Sequence, residues 1–186
     1  MRRSFAATAA LMLLTGCQTT FGTPPRPTTA PPAEGRGRPK IILSNAAAGP
    51  GGTATVTATL QTGGANIAGT QNDISFDPRA VAIARKANGR PDCRANSALG
   101  KEGTAFNFLP KNCAPGSCDN MRALVLSLSN VAAIPDGSVL YTCTVEVAGD
   151  AAPGAKPLRL SRVGFSDPGG KVINGVGVDG SITVGR

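Results

Sequence analysis

No histidine occurs in this chain. That one absence removes the commonest general base, the usual activator of a serine or cysteine nucleophile and the commonest zinc ligand together. Any catalysis would fall to carboxylates or lysines. Tryptophan is absent too, and Tyr141 is the only tyrosine, so the chain has little with which to build the exposed aromatic platform on which sugar rings stack. Apolar runs are short. The longest at the N-terminus, Phe5 to Leu14, is half of the roughly twenty residues that a membrane-spanning helix needs. The formal charge of +8 also shrinks on inspection. From Lys40 onward there are 14 basic and 10 acidic residues, a balance of +4, which is an ordinary solubility charge and not the footprint of a nucleic-acid binder.

What the chain does have is glycine (24) and proline (15), set between short runs of Thr, Val, Ile and Ala. That punctuation favours an all-β chain, and 186 residues suffice for one domain with a real core. Three segments are expected. Residues 1–16 read as an export signal: Arg2 and Arg3 form a positive start, and the ten-residue apolar stretch is too short for a mature span. It ends in Leu14-Thr15-Gly16-Cys17, which resembles the bacterial lipobox. The resemblance implies cleavage after Gly16, a thioether-linked diacylglycerol on Cys17 and acylation of the new amino group. Two or three acyl chains hold a protein stably at a membrane where one does not. In such lipoproteins an Asp after the Cys tends to retain the protein in the inner membrane, so Gln18 points to the outer one. Residues 17–39, with six prolines from Pro24 to Pro39, read as a disordered tether. Its length as a flexible coil is about 26 Å, and as extended polyproline II about 70 Å.

From 40 to 186 the pattern changes to alternation. Nine strands are expected, at 40–44, 53–61, 67–76, 81–83, 105–109, 121–129, 138–147, 156–163 and 181–184. In the second, Ala54, Val56, Ala58 and Leu60 alternate with outward threonines. No amphipathic helix interrupts them, which indicates a two-sheet β-sandwich. Phe76, Phe106, Phe108 and Phe165 are assigned to its core, with Tyr141 among inward positions.

Five features come in a particular order: Pro50-Gly51-Gly52 before a Thr/Val strand; Ala68-Gly69 into a strand ending Phe76-Asp77-Pro78; Ile134 to Leu140 opening a long strand; Asp150 to Gly154 followed by Pro157-Leu158-Arg159-Leu160; and Asp179 to Val184. Across residues 40–185 this order resembles the cohesin family, the jelly-roll modules of cellulosomal scaffolds that bind calcium-loaded dockerin modules. The resemblance implies a jelly-roll sandwich and a dockerin-like or other envelope protein as partner. In cellulosomal cohesins, polar residues on the strand before a Tyr-Asp-Pro corner contact the dockerin. Laying that corner on Phe76-Asp77-Pro78 puts the usual Asn and Asp near Gly69 and Gln71, where the pattern is not kept. Polysaccharide binding on the same scaffold is the alternative reading.

Four cysteines follow Cys17. An even number in an exported domain implies two disulfides. Of three possible pairings, Cys113–Cys118 is favoured by the four-residue turn between them, leaving Cys93–Cys143 as the long staple. Without histidine or a Cys-x-x-Cys pair, a metal site is the weaker reading, and no cofactor is expected. Asp73 and Asp77, read as paired catalytic carboxylates, would stand about 13 Å apart along a strand, beyond the roughly 5 to 9.5 Å of a glycosidase pair. Asp77-Pro78 reads instead as a turn, and no enzyme activity is expected. Asp167-Pro168-Gly169-Gly170-Lys171 lacks alternate oxygen ligands for calcium and reads as a β-turn. The basic group Arg79, Arg85, Lys86, Arg90 and Arg94 suits either a solvated loop or an acidic partner such as lipopolysaccharide phosphate. The expected function is a membrane-tethered, non-catalytic binding module at the cell envelope.

Overall fold

The computed structural model describes residues 37–185. The segments expected to be an export signal and a tether, with Cys17 between them, lie outside the described residues up to residue 36. The domain is a sandwich of two sheets whose thirteen strands run β1 (Lys40–Leu43), β2 (Ala46–Ala48), β3 (Thr53–Gln61), β4 (Gly69–Ser75), β5 (Val81–Ile83), β6 (Cys93–Ala95), β7 (Ala105–Leu109), β8 (Asn120–Val125), β9 (Val139–Val147), β10 (Gly154–Ser166), β11 (Val172–Ile173), β12 (Val176–Val178) and β13 (Gly180–Val184). One sheet runs β12-β1-β3-β9-β5, with β6 also on β9. The other runs β2-β13-β10-β4-β8-β7, with β11 on β10.

Alternation sets the inner faces. On β3, Ala54, Val56, Ala58 and Leu60 are all buried, and they meet β9 in antiparallel register from Thr53↔Glu146 to Ala58↔Tyr141. There the register slips to Thr59↔Val139. Leu140 is the extra residue of a bulge, which lets Leu140 and Tyr141 both reach the core. Between the sheets, the Asn72 side chain on β4 donates from Nδ2 to Tyr141 Oη (2.8 Å) and accepts from it at Oδ1 (3.0 Å). Burial pushes the Tyr141 hydroxyl pKa well up. Phe76, Phe108 and Phe165 are buried as expected. Phe106 is half-buried, packed edge-on to Tyr141 at 5.3 Å between ring centroids.

All nine expected strands are present, three of them (β3, β5 and β7) with the expected ends and six with shifted ones, and four more join them. The three alanines of β2 pair in parallel with β13; β12 pairs in parallel with β1. Their signal is weak because close approach, not side-chain bulk, fits them in. A Cβ on Gly177 would meet Leu160 Cβ at 2.7 Å, and one on Gly175 would run into the Phe165 ring. Strand β8 stops at Val125, four residues short of the expected end. The Ser127 hydroxyl takes the backbone N–H groups of Ser129 and Asn130, a local turn that outcompetes the ladder.

Two exposed carboxylates close loops. Asp136 accepts from the Thr62 N–H, and Glu102 accepts from the Ser127 hydroxyl at 2.7 Å. These hydrogen bonds to the charged form hold both below the usual carboxylate range. A depressed folded-state pKa contributes stability that is fully present above the unfolded value of about 4 and is lost as pH falls through the folded value. Urea midpoints measured from pH 6 down to pH 2.5 should therefore fall less steeply for an Asp136→Asn/Glu102→Gln variant than for the wild type. Parallel profiles would contradict this.

Candidate functional site

Strand β4 turns Thr70, Asn72 and Ile74 inward, so Gly69, Gln71, Asp73 and Ser75 belong to the outer face of its sheet. Asp73 has only 2% of its side chain exposed despite that position. The cause is Arg122, directly opposite on β8. Its guanidinium forks onto the carboxylate, Nε to Oδ1 at 2.7 Å and Nη2 to Oδ2 at 2.8 Å, the strong bidentate geometry of an Arg–carboxylate pair. This bond raises the Arg122 pKa against the opposing effect of burial.

A second arginine reaches the same carboxylate from the other side. Register on β10 passes from Ser161↔Asp73 to Gly164↔Gln71, so Arg162 and Val163 together face Asn72 in a bulge. Arg162 sits at φ 48, a left-handed conformation that costs a non-glycine residue about 1 to 3 kcal/mol. That turn brings its Nε to 3.7 Å from Asp73 Oδ2 while 73% of the side chain stays exposed. Strain of this kind collects at functional positions.

Beside the triad, towards the start of β4, lies a shallow depression of about 220 Å3 between Gly69, Gln71, Leu124, Leu126 and Gly164, with Val172 on its rim. Val172 is 74% exposed. At Leu126 the chain leaves the sheet for a loop that is apolar at its tip: Leu128 is 92% exposed and Val131 is exposed beside it. The loop is clamped. Buried Lys101 donates from Nζ to the carbonyls of Asn130 and Ala132, both at 2.8 Å, and burial lowers its pKa. Asn130 in turn donates to the Gly100 carbonyl.

The other sequence-derived candidates are placed as follows. Cys93 and Cys143 stand directly opposite on β6 and β9 and are joined, as are Cys113 and Cys118. Gly69 and Gln71 are both on the outer face. Gly69 is packed so closely that a Cβ would meet Ser166 Oγ at 2.8 Å, so no side chain is available there, and the charged residue of the strand is Asp73. In the sequence Asp73 stands out only as half of a carboxylate pair with Asp77. Its Arg122 partner is visible only once the β4–β8 register is known. Asp77 caps a turn, accepting from the Arg79 N–H. Asp167 does the same for Gly169 and Lys171. Among the described residues, no three His, Cys, Asp or Glu side chains are grouped to hold a metal.

The basic group is scattered by the fold. Lys86 donates to the Cys93 carbonyl and faces Asp92 at 3.9 Å, and Arg94 lines a separate surface hollow with Tyr141 and Thr142. Arg85 lies 4.4 Å over the Phe108 ring. Only Arg85 and Arg90 share a cleft.

No protein-family model and no curated protein sequence matches the chain. Solved structures do match, and they are cohesins. A type I cohesin–dockerin complex from Clostridium thermocellum matches at 18% identity and a TM-score of 0.62 over 80% of this chain and 99% of that one. The seventh ScaB type I cohesin of Pseudobacteroides cellulosolvens matches at 19% and 0.61, over 80% and 93%. A non-cellulosomal cohesin from the archaeon Archaeoglobus fulgidus matches at 13% and 0.58, over 81% and 93%. The fold is therefore an all-β, cohesin-like jelly-roll sandwich.

Proposed function

We propose that this chain is a non-catalytic binding module that docks a partner protein on the outer face of β10, β4 and β8, and that acyl chains on Cys17 tether it to the cell envelope, at the outer membrane. The observation that carries the docking surface is the Asp73–Arg122–Arg162 triad beside the Leu124/Leu126 depression. A rigid polar anchor next to an exposed apolar patch suits a protein interface, whose binding energy concentrates in a few preorganised contacts. Leu128, displayed on a clamped loop, adds an apolar contact that costs little ordering. The cohesin of the Clostridium thermocellum structure is in complex with a dockerin, and a calcium-loaded dockerin-like module is the partner proposed for this chain as well. The tether rests on Leu14-Thr15-Gly16-Cys17 and the apolar stretch before it.

The test has two arms. The wild-type chain should retain a discrete envelope protein in the presence of calcium and release it on chelation. The Arg162→Glu/Leu128→Asp variant, altered at two exposed side chains, should retain at least about tenfold less, corresponding to roughly 1.4 kcal/mol. Retention that ignores both changes, or no retained protein at all, would refute the docking surface. In the second arm, wild-type chain should sediment with membranes and Cys17→Ser should not; equal sedimentation would refute the tether.

A further inference from the structure

A second candidate surface lies at the sheet edge formed by β7, beside Arg122. The hairpin from Arg85 to Pro91 and the connection from β7 to β8 stand as two walls of a cleft of about 570 Å3, within the range of small-ligand sites, about 300 to 1,000 Å3. Both walls are stiff. The hairpin is closed by Lys86 N–H to the Arg90 carbonyl and Gly89 N–H to the Lys86 carbonyl, each 2.8 Å, with Gly89 at φ 80. The other wall is stapled by Cys113–Cys118. Arg85 bridges them: Nη1 donates to the Gly89 carbonyl at 2.7 Å, Nη2 to the Cys113 carbonyl at 3.3 Å. The cleft is thus formed before any ligand arrives, which removes the ordering cost that weakens loop-built sites.

Its lining is one-sided. Arg85, Arg90 and Lys111 contribute three cations, and no lining residue is acidic. Among the described residues neither Arg90 nor Lys111 makes an ion pair; the carboxylate of the hairpin, Asp92, faces Lys86 instead. Interleaved with the cations are three carboxamides, Asn88, Asn107 and Asn112. The side chains of Asn107 and Asn112 make no hydrogen bond among the described residues, and Asn88 uses only its oxygen, on the Arg90 N–H. Asn112 is held at φ 63, a backbone state that asparagine tolerates better than most residues.

We propose that this cleft binds an anionic saccharide, a sugar bearing a carboxylate or a phosphate. Unpaired cations supply the anion contacts. Carboxamides both donate and accept, as neighbouring sugar hydroxyls require, whereas an acidic peptide would be met well enough by the cations alone. Phe108 is capped by Arg85, so recognition here is by charge and hydrogen bonding without ring stacking, which reconciles sugar binding with the scarcity of aromatics. The cleft adjoins the outer face of β8, where Asn107 stands opposite Arg122, but the saccharide proposal does not rest on the docking proposal.

The full chain should be titrated by calorimetry, at about physiological salt, with oligogalacturonate, a hexose 1-phosphate, a neutral cello-oligosaccharide and a short polyglutamate. At least one of the two anionic sugars should bind at least about tenfold more tightly than both the neutral sugar and the peptide; which of the two does so tells uronate from sugar phosphate. Arg90→Ala/Lys111→Ala should weaken that binding about tenfold or more, and Asn112→Gly, which keeps the positive φ, severalfold. Equal binding of polyglutamate would overturn the proposal in favour of a surface that reads charge alone. Equal binding of the neutral sugar, binding indifferent to all three substitutions, or no binding of either anionic sugar would overturn it as well. Because the substituted side chains are exposed, thermal midpoints of the variants should match the wild type.

Discussion

Replacing Cys93 and Cys143 together by alanine is expected to lower the unfolding free energy by about 4 kcal/mol. The bond closes a loop of 50 residues, and in the chain-entropy model a loop of that length restricts the unfolded ensemble by about that amount. The packing acts in the same direction. Both sulfurs lie in the core cluster, at the junction of β6 with β9, so truncation also opens a small void. The bond holds a three-residue strand to the centre of its sheet, a strand too short to hold itself there. The expected reading is a thermal midpoint lower by roughly 8 to 16 °C for a domain of this size. The Cys113–Cys118 pair makes the internal comparison. It spans 5 residues, and the same model gives about 2 kcal/mol. Equal losses for the two double variants would show that loop closure is not the governing effect.

The second large effect is expected at Arg122. An Arg122→Met substitution keeps most of the apolar stem and removes the fork that neutralises Asp73. Arg162 remains, but at 3.7 Å and on a largely exposed side chain, so a nearly buried carboxylate is left with a weak partner. Removing one member of a buried pair costs about 3 to 5 kcal/mol, and the partial exposure of this arginine places the expected loss near the lower figure, about 3 kcal/mol. The cost is that of a stranded charge, so neutralising the charge should return part of it. An Asp73→Asn/Arg122→Met double variant is expected to be more stable than Arg122→Met alone. Urea unfolding of the three variants decides the matter: a single variant within about 0.5 kcal/mol of wild type, or a double variant worse than the single, would show that Asp73 does not depend on its fork.

How much of this was legible before the structure depends on the kind of signal. Strand β3 announces itself because Thr alternates with Ala, Val and Leu over nine residues, and β9 because Tyr141, Cys143, Val145 and Val147 recur at every second position; only a half-buried strand needs that period. The four-residue turn between Cys113 and Cys118 singles out that pair, which leaves Cys93 for Cys143. Strand β2 is silent, since three alanines carry no period. Asn72 and Tyr141, 69 residues apart, join only through the packing of one sheet on the other, and a polar residue at an inward position reads as an interruption until its partner is known. Asp73 is conspicuous in the sequence only beside Asp77. Its meaning lies in the register against Arg122 and in the bulge that turns Arg162, neither of which a single sequence displays. Lys111, which completes the cationic cleft, lay outside the basic group read along the chain, because the fold and not sequence proximity brings it opposite Arg90.

The parallel pairings at the two ends of the domain have a consequence for how it comes to exist. Strands β1 and β2 enter different sheets, and each is completed by a strand from the far end of the chain: β1 by β12, β2 by β13. Ser181 reaches back to Asn45 across 136 residues. During synthesis, the earliest strands therefore wait, edges unsatisfied, for the latest ones to emerge, and the sandwich can close only in a late, concerted step. Architectures dominated by such distant pairings fold slowly and expose sticky edges meanwhile. Until β13 is present, the edge of β2 has no partner strand.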